Sequence, residues 1–394
     1  MFVDIILISW VLIFVAWFNG RLTKKNLLTK SQGSGLQLLW IYHILFSFLF
    51  YYYLNKNGGD AIRYWALEAD VSQNAESWMA HWGRGTFFIQ WLNYIPSKVL
   101  GLGFLFGNVV YGVLSFLGIR EIYLMAIKYW PENASRWVSK VSICLFFLPN
   151  LHFWSSGVSK EALLILGMGL AFKGLADLPK QWVWLVMGVV LSFWVRPIAG
   201  FVLGGVVWFY ILFQPEFSFK WKMAISLVSL VVGALALERL VIAMHMEEVS
   251  IAALLQFSAA QLEFLRGFGA GSEVPMETYS WSQRLGTFFF RPFWNDIRDI
   301  WDLAAAIENS IAIVLLVGLI SGLLFAWYQK VGISIPKVLY VGLGVLVLMG
   351  IVYAMTLNNL GIMMRMKSTY MLFFYLFAVS GLVIFHSAFP SKKI

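Results

Sequence analysis

Long apolar runs separated by short polar breaks dominate this chain. Eleven runs can be drawn, at about 2–19, 36–54, 99–119, 141–156, 161–178, 181–195, 198–213, 223–243, 309–328, 338–355 and 369–387. Most approach the length a helix needs to cross a hydrocarbon core of roughly 30 Å. The pattern therefore predicts an all-α fold: one integral membrane domain over 1–394, a polytopic transmembrane helix bundle of about eleven crossings. Two longer polar stretches interrupt it, at about 55–98 and 244–308. In the first, Trp78, Trp82, Phe87, Phe88 and Trp91 alternate with polar groups, as in a helix lying in the membrane interface. The opening run, Phe2 to Phe18, lacks a basic leader and a small-residue cleavage site, so it reads as a retained helix. No repeat of fixed period is evident.

Composition agrees with that picture. Of 394 residues, 60% are hydrophobic and 12% charged, about half the charged share of a soluble domain. The single cysteine, Cys144, excludes an intrachain disulfide framework or a cysteine metal cluster.

Charge sets the orientation. With the N-terminus outside, the cytoplasmic loops hold sixteen of the 29 basic residues and four of the 20 acids, a net charge of +12. The outer side carries thirteen basic and sixteen acidic residues, net −3. The basic balance is thus a topology signal and requires no nucleic acid. The cations also differ in kind. Inside, thirteen of sixteen are lysines, whereas outside nine of thirteen are arginines. Arginine presents a planar fork suited to phosphate or carboxylate, so its outer excess points either to anion recognition or to ion pairs with the outer acids.

Four outer segments carry the candidate chemistry. In Gly58-Gly59-Asp60-Ala61-Ile62-Arg63-Tyr64-Trp65 the glycines allow a tight turn as the second helix leaves the membrane. Asp60 can take a proton from a sugar hydroxyl, with Arg63 keeping it ionised, or can simply cap a helix. In Leu148 to Glu161, Ser159 is placed to cap the fifth helix. Lys160 at that N-terminus makes an anion site, with Glu161 either a functional acid or its partner. His152 reads as a packed histidine. In Thr287 to Asp296, Arg291 lies among large aromatics, where it requires an anion such as a lipid pyrophosphate, or serves as an interfacial anchor. Glu308 follows, entering the ninth run. In Asn358 to Lys367, Arg365 and Lys367 form an outer-loop pair that fits a phosphate or sugar acid, or snorkels. Arg196, in Val195-Arg196-Pro197, and the Glu238–Arg239 pair are further candidates of this kind.

Other chemistries are missing from the sequence. There is no Walker loop, no HExxH, no Gly-x-Ser-x-Gly elbow, and the five histidines are scattered. The residues call for no metal and no cofactor.

Together the four segments resemble bacterial membrane proteins of surface polysaccharide assembly, the O-antigen and exopolysaccharide polymerases. The resemblance rests on Asp60 followed by Tyr64, on Phe153-Trp154-Ser155-Ser156-Gly157 with Lys160-Glu161, on Arg291-Pro292-Phe293, and on Asn359-Leu360-Gly361 with Arg365. An odd number of helices departs from that group's common layout, in which both ends lie inside. The resemblance implies a bacterial inner membrane, with the N-terminus periplasmic and the C-terminus cytoplasmic. There a glycan would pass from a polyprenyl pyrophosphate to a hydroxyl of the next lipid-linked repeat unit. Arg291, Arg365, Lys160 and Arg196 would hold the pyrophosphate, and Asp60 or Glu161 would be the acceptor base. Arg63, Tyr64 and Lys367 complete the expected binding set. Partners would be polyprenyl-linked sugars, the bilayer and other assembly proteins. A polyprenyl-phosphate-sugar-dependent glycosyltransferase of the C-type membrane fold fits Asp60 equally well. A flippase for the lipid-linked repeat is a further reading, opposed by nearly charge-free helix cores and the lack of repeats.

Overall fold

The computed structural model describes residues 2–72, 74–129, 136–243, 248, 250–267, 269, 271–330, 332 and 335–388. The topology signals Glu132, Lys392 and Lys393 lie outside them. Sixteen α-helices follow one another: α1 (Phe2–Lys24), α2 (Lys30–Asn57), α3 (Asp60–Ala66), α4 (Thr86–Asn93), α5 (Phe104–Tyr129), α6 (Arg136–Cys144), α7 (Pro149–Ser155), α8 (Lys160–Ala176), α9 (Trp182–Val195), α10 (Pro197–Leu212), α11 (Phe219–Ala243), α12 (Ile251–Arg266), α13 (Trp281–Phe290), α14 (Ile300–Gln329), α15 (Lys337–Thr356) and α16 (Leu360–Ala388). Among the described residues there is no strand, only an isolated antiparallel bridge between Glu273 and Asn359.

The chain is a membrane-embedded helical protein. Among the described residues seven helices are long and apolar enough to cross a bilayer: α1, α2, α5, α11, α14, α15 and α16. α9 and α10 are shorter apolar helices. The expected crossing at 141–156 is broken into α6, a 3-10 turn over Leu145–Phe147, and α7. Pro149 is the reason: it lacks an amide donor and so takes the first position of a new helix. Two expected starts move upstream. α14 begins at Ile300 rather than 309, because Asp299 caps it by accepting from the Trp301 and Asp302 amides. α16 begins at Leu360 rather than 369, with the Asn359 side chain accepting from the Ile362 amide at 3.1 Å. The two long polar stretches are therefore largely helical, holding α3, α4, α12, α13 and the first turns of α14.

The described helices fall into two compact units. The first comprises Met1–Pro131 and Phe146–Gly200, and the second Glu132–Leu145 and Phe201–Ile394.

In the first unit α8 is central, packed between α5 and α9. Glycines make the approach possible. A Cβ on Gly118 of α5 would meet the Ile165 carbonyl oxygen at 2.2 Å, and one on Gly169 would meet the Gly118 oxygen at 2.3 Å. On the other side a Cβ on Gly188 of α9 would lie 2.4 Å from the Ala171 amide nitrogen. In lipid, where the hydrophobic effect gives helices no reason to associate, such close backbone contact supplies the packing energy.

In the second unit α16 holds the centre, against α14 and α15. Gly322 and Gly381 provide the same close crossing between α14 and α16. Phe289 of α13 packs on α15 at Gly350, where a Cβ would sit 2.3 Å from its ring.

Candidate functional site

Each unit carries one cluster of the expected site residues. In the first, Gly58 (φ +74°) and Gly59 (φ +146°) turn the chain off α2, both in conformations that favour glycine. Gly59 takes the cap position of α3, so Asp60 is the first helical residue rather than the cap. Asp60 is exposed and stands one turn before Tyr64, on the same face of α3. Arg63 pairs with Asp70, so its principal partner is not Asp60, which adds only a lesser electrostatic contribution.

α8 begins beside this turn. The Ser159 side chain accepts from the Ala162 amide at 3.1 Å, the expected cap. Lys160 follows, its Nζ 5.8 Å above the Tyr64 ring. A Cβ built on Gly85 would lie 3.9 Å from that Nζ and 4.0 Å from the Val195 oxygen. Gly85 itself has φ +65°, and its amide donates to the Trp194 carbonyl at 2.8 Å. The loop before α4 is thereby pinned to the end of α9.

Arg196 lies at the joint of α9 and α10. Pro197 disfavours helical geometry at the residue before it, and Arg196 is extended (φ −144°, ψ 101°). From there its Nη2 donates to Glu161 Oε1 at 2.6 Å. Glu161 is buried and Arg196 partly exposed. Tyr64, Lys160, Glu161 and Arg196 thus converge at the N-terminus of α8, where the helix dipole adds positive character. No sequence pattern points to Gly85 and Trp194 as part of this set, since they meet through backbone atoms.

The first unit also holds a buried histidine pair. His43 Nδ1 and His152 Nδ1 are 2.8 Å apart, His152 Nε2 is 2.6 Å from the Phe146 oxygen, and His43 Nε2 is 2.8 Å from Ser115 Oγ. His43 Nε2 also lies 3.0 Å from the Gly112 carbonyl oxygen, which accepts from the Ser115 hydroxyl at 3.0 Å, and the approach of His152 Nε2 to the Phe146 oxygen places a proton on that nitrogen. His152 is packed, as expected, but on a second histidine.

In the second unit Arg291 ends α13 and precedes Pro292. Its fork is bidentate to Asp296, Nε to Oδ2 at 2.9 Å and Nη2 to Oδ1 at 2.6 Å, with Nη1 3.4 Å from the Tyr279 hydroxyl. The anion meeting this arginine is thus a neighbouring carboxylate. That fork holds the Asp296 carboxyl below the usual carboxylate range, against the opposing effect of partial burial.

Lys367 departs from its expected place. It is not in an outer loop but in the second turn of α16, fully buried. Its Nζ donates to the Phe289 oxygen (3.2 Å), the Arg291 oxygen (2.7 Å) and Asn309 Oδ1 (2.8 Å), and buried Glu308 balances its charge. Asn309 Nδ2 donates in turn to the Pro292 oxygen at 2.9 Å. Lys367 and Asn309 clamp the backbone on both sides of Arg291. Lys367 is therefore a positioning residue, its three protons directed at protein acceptors. Arg365, two positions earlier, is half-buried on the same helix. Glu238 and Arg239 stand near the end of α11, away from both clusters' elements in sequence.

Two more of the arginines expected on the outer side also meet acids: Arg266 pairs with Glu273 and Glu277, and Arg298 with Asp302. Among the described residues no group of three or more metal-ligating side chains converges. Compared with protein families, curated proteins and solved structures, the chain matches none.

Proposed function

We propose that this protein transfers a glycan from a polyprenyl pyrophosphate carrier to a hydroxyl of a lipid-linked repeat unit, at the outer (periplasmic) face of a bacterial inner membrane. The reading includes eleven crossings, with α8, α9, α10 and the broken α6–α7 segment adding to the seven long helices, and an outer N-terminus. The observation that carries it is the meeting of Lys160, Glu161, Arg196 and Tyr64 at the start of α8. Two cations at a helix N-terminus suit a pyrophosphate, and a buried carboxylate beside them holds the arginine in place.

In this reaction the acceptor oxygen bonds to the anomeric carbon while the bond from that carbon to the pyrophosphate oxygen breaks. Lys160, Arg196 and the α8 N-terminus stabilise the charge growing on the leaving group. The hydroxyl proton passes to a base. Between the two expected acids, exposed Asp60 is better placed for that role, since Glu161 is committed to Arg196. Arg291 would act on a phosphate only by exchanging Asp296 for it.

Gene deletion followed by electrophoresis of the cell's surface polysaccharide tests the proposal. Loss of long chains with a single repeat retained is the expected result. A truncated repeat indicates single-sugar transfer, and lipid-linked repeats accumulating inside indicate a flippase. An unchanged pattern ends the polysaccharide reading.

A further inference from the structure

The loop before α4 builds an aromatic wall next to the Lys160 cluster. Trp78 and Trp91 stack with ring centroids 5.1 Å apart, Trp82 and Trp91 meet edge to face with centroids 4.7 Å apart, and Trp82 lies 5.7 Å from Trp194. Trp78 and Trp82 are exposed, at 39% and 46%. The wall is tied to the cluster by the bond from the Gly85 amide to Trp194, two residues before Arg196. Arg84 rests over Phe193 at 5.8 Å.

Tryptophans that anchor a protein at a membrane surface turn the indole N–H toward the wet headgroups. Three of these four do not. Trp78 Nε1 donates to the Trp91 carbonyl at 3.1 Å. The N–H groups of Trp91 and Trp194 point inward, buried, and meet no acceptor among the described residues. Trp78 and Trp82 are the members of the wall that solvent reaches. An aromatic face carries negative charge density and attracts the weakly positive C–H groups that line one side of a pyranose ring.

We propose that Trp78 and Trp82, backed by Trp91 and Trp194, form a glycan-binding platform that stacks on sugar rings of the chain entering or leaving the Lys160–Glu161–Arg196 cluster. The inference rests on the glycan-transfer reading of that cluster and names a separate subsite for it. It is a binding surface, with no part in bond making.

The test uses the full-length protein in detergent, with repeat units freed from the producing cell's polysaccharide by mild acid as the probe. Saturation-transfer NMR reports which sugar protons touch the protein and, by titration, how tightly. Wild type is expected to saturate ring C–H protons. Trp82→Ala should weaken binding about fivefold, or about 1 kcal/mol, and Trp82→Phe should restore most of it. Undiminished binding by the Trp78→Ala/Trp82→Ala double variant overturns the platform, as does absence of binding by wild type. The deletion experiment separates the two claims. Lost long chains together with unaffected binding in the double variant remove the platform alone, whereas an unchanged polysaccharide removes the transfer reading itself.

Discussion

Arg196 and Arg291 each end a helix with a proline behind them. The proline forces the arginine into extended geometry, and that turns the side chain back toward a carboxylate, Glu161 in one case and Asp296 in the other. The first pair is the more deeply set, because Glu161 is 1% exposed. Arg196→Ala leaves that carboxylate without its arginine and should cost about 3–5 kcal/mol, read as a lower thermal midpoint of the purified protein. Adding Glu161→Ala should recover much of the loss. A single variant as stable as wild type would show that the pair contributes nothing. Lys367→Met takes the ammonium from three acceptors and removes the cation that faces Glu308, so a comparable drop is expected. Lys367→Met/Glu308→Gln should melt above Lys367→Met alone, and equal midpoints would exclude the proposed charge balance. The Arg291–Asp296 pair has an acid limit. Asp296's carboxyl is held below its ordinary value, so its stabilisation is complete above the unfolded carboxylate range and fades as pH falls through the lowered folded value. Asp296→Asn should remove that acid-range dependence, and an identical pH profile in the variant would contradict it.

At the scale of the helix, α8 carries both packing and chemistry. Its glycine-lined faces admit α5 and α9, and its capped start presents Lys160 and Glu161. Ser159→Ala should cost about 1 kcal/mol and reduce transfer more than stability alone explains, because the first turn positions both charges. Transfer unchanged after correction for protein level would separate cap from site. Much of this helix was legible in the sequence: a serine before Lys-Glu and an apolar run is an N-terminus signal. The pairing of Glu161 with Arg196 was not, since 35 positions separate them and only the antiparallel packing of α8 on α9 brings them together. Lys367 misled for a related reason. Two cations two residues apart in an apolar setting read as an outer loop, yet Asn359 starts a helix ahead of them, and Asn309 and the carbonyls at the end of α13 supply acceptors that no local pattern reveals. The break at Pro149 was legible in principle; the apolar character on both sides concealed it.

At the scale of the molecule, apolar periodicity foretold an all-helical membrane protein, and every expected run contains helix, including the one divided by Pro149. The orientation proposed from charge makes a direct prediction. In a chain whose only cysteine, Cys144, is replaced, cysteines placed at Ser77 or Glu277 should react with an impermeant maleimide in intact spheroplasts, whereas those at Lys180 or Lys220 should react only after lysis. The reverse pattern would invert the protein and place the Lys160 cluster on the wrong face for the proposed reaction. The direct measurement of the transfer places the purified protein in vesicles with lipid-linked repeat units from the deletion strain, without nucleotide sugar or ATP, and follows the products by gel. A ladder of lengthening chains with release of polyprenyl pyrophosphate is expected, abolished by Lys160→Ala/Arg196→Ala in protein that remains folded. Repeat units left at their original length by active-form protein, or a ladder undiminished in that double variant, would contradict it.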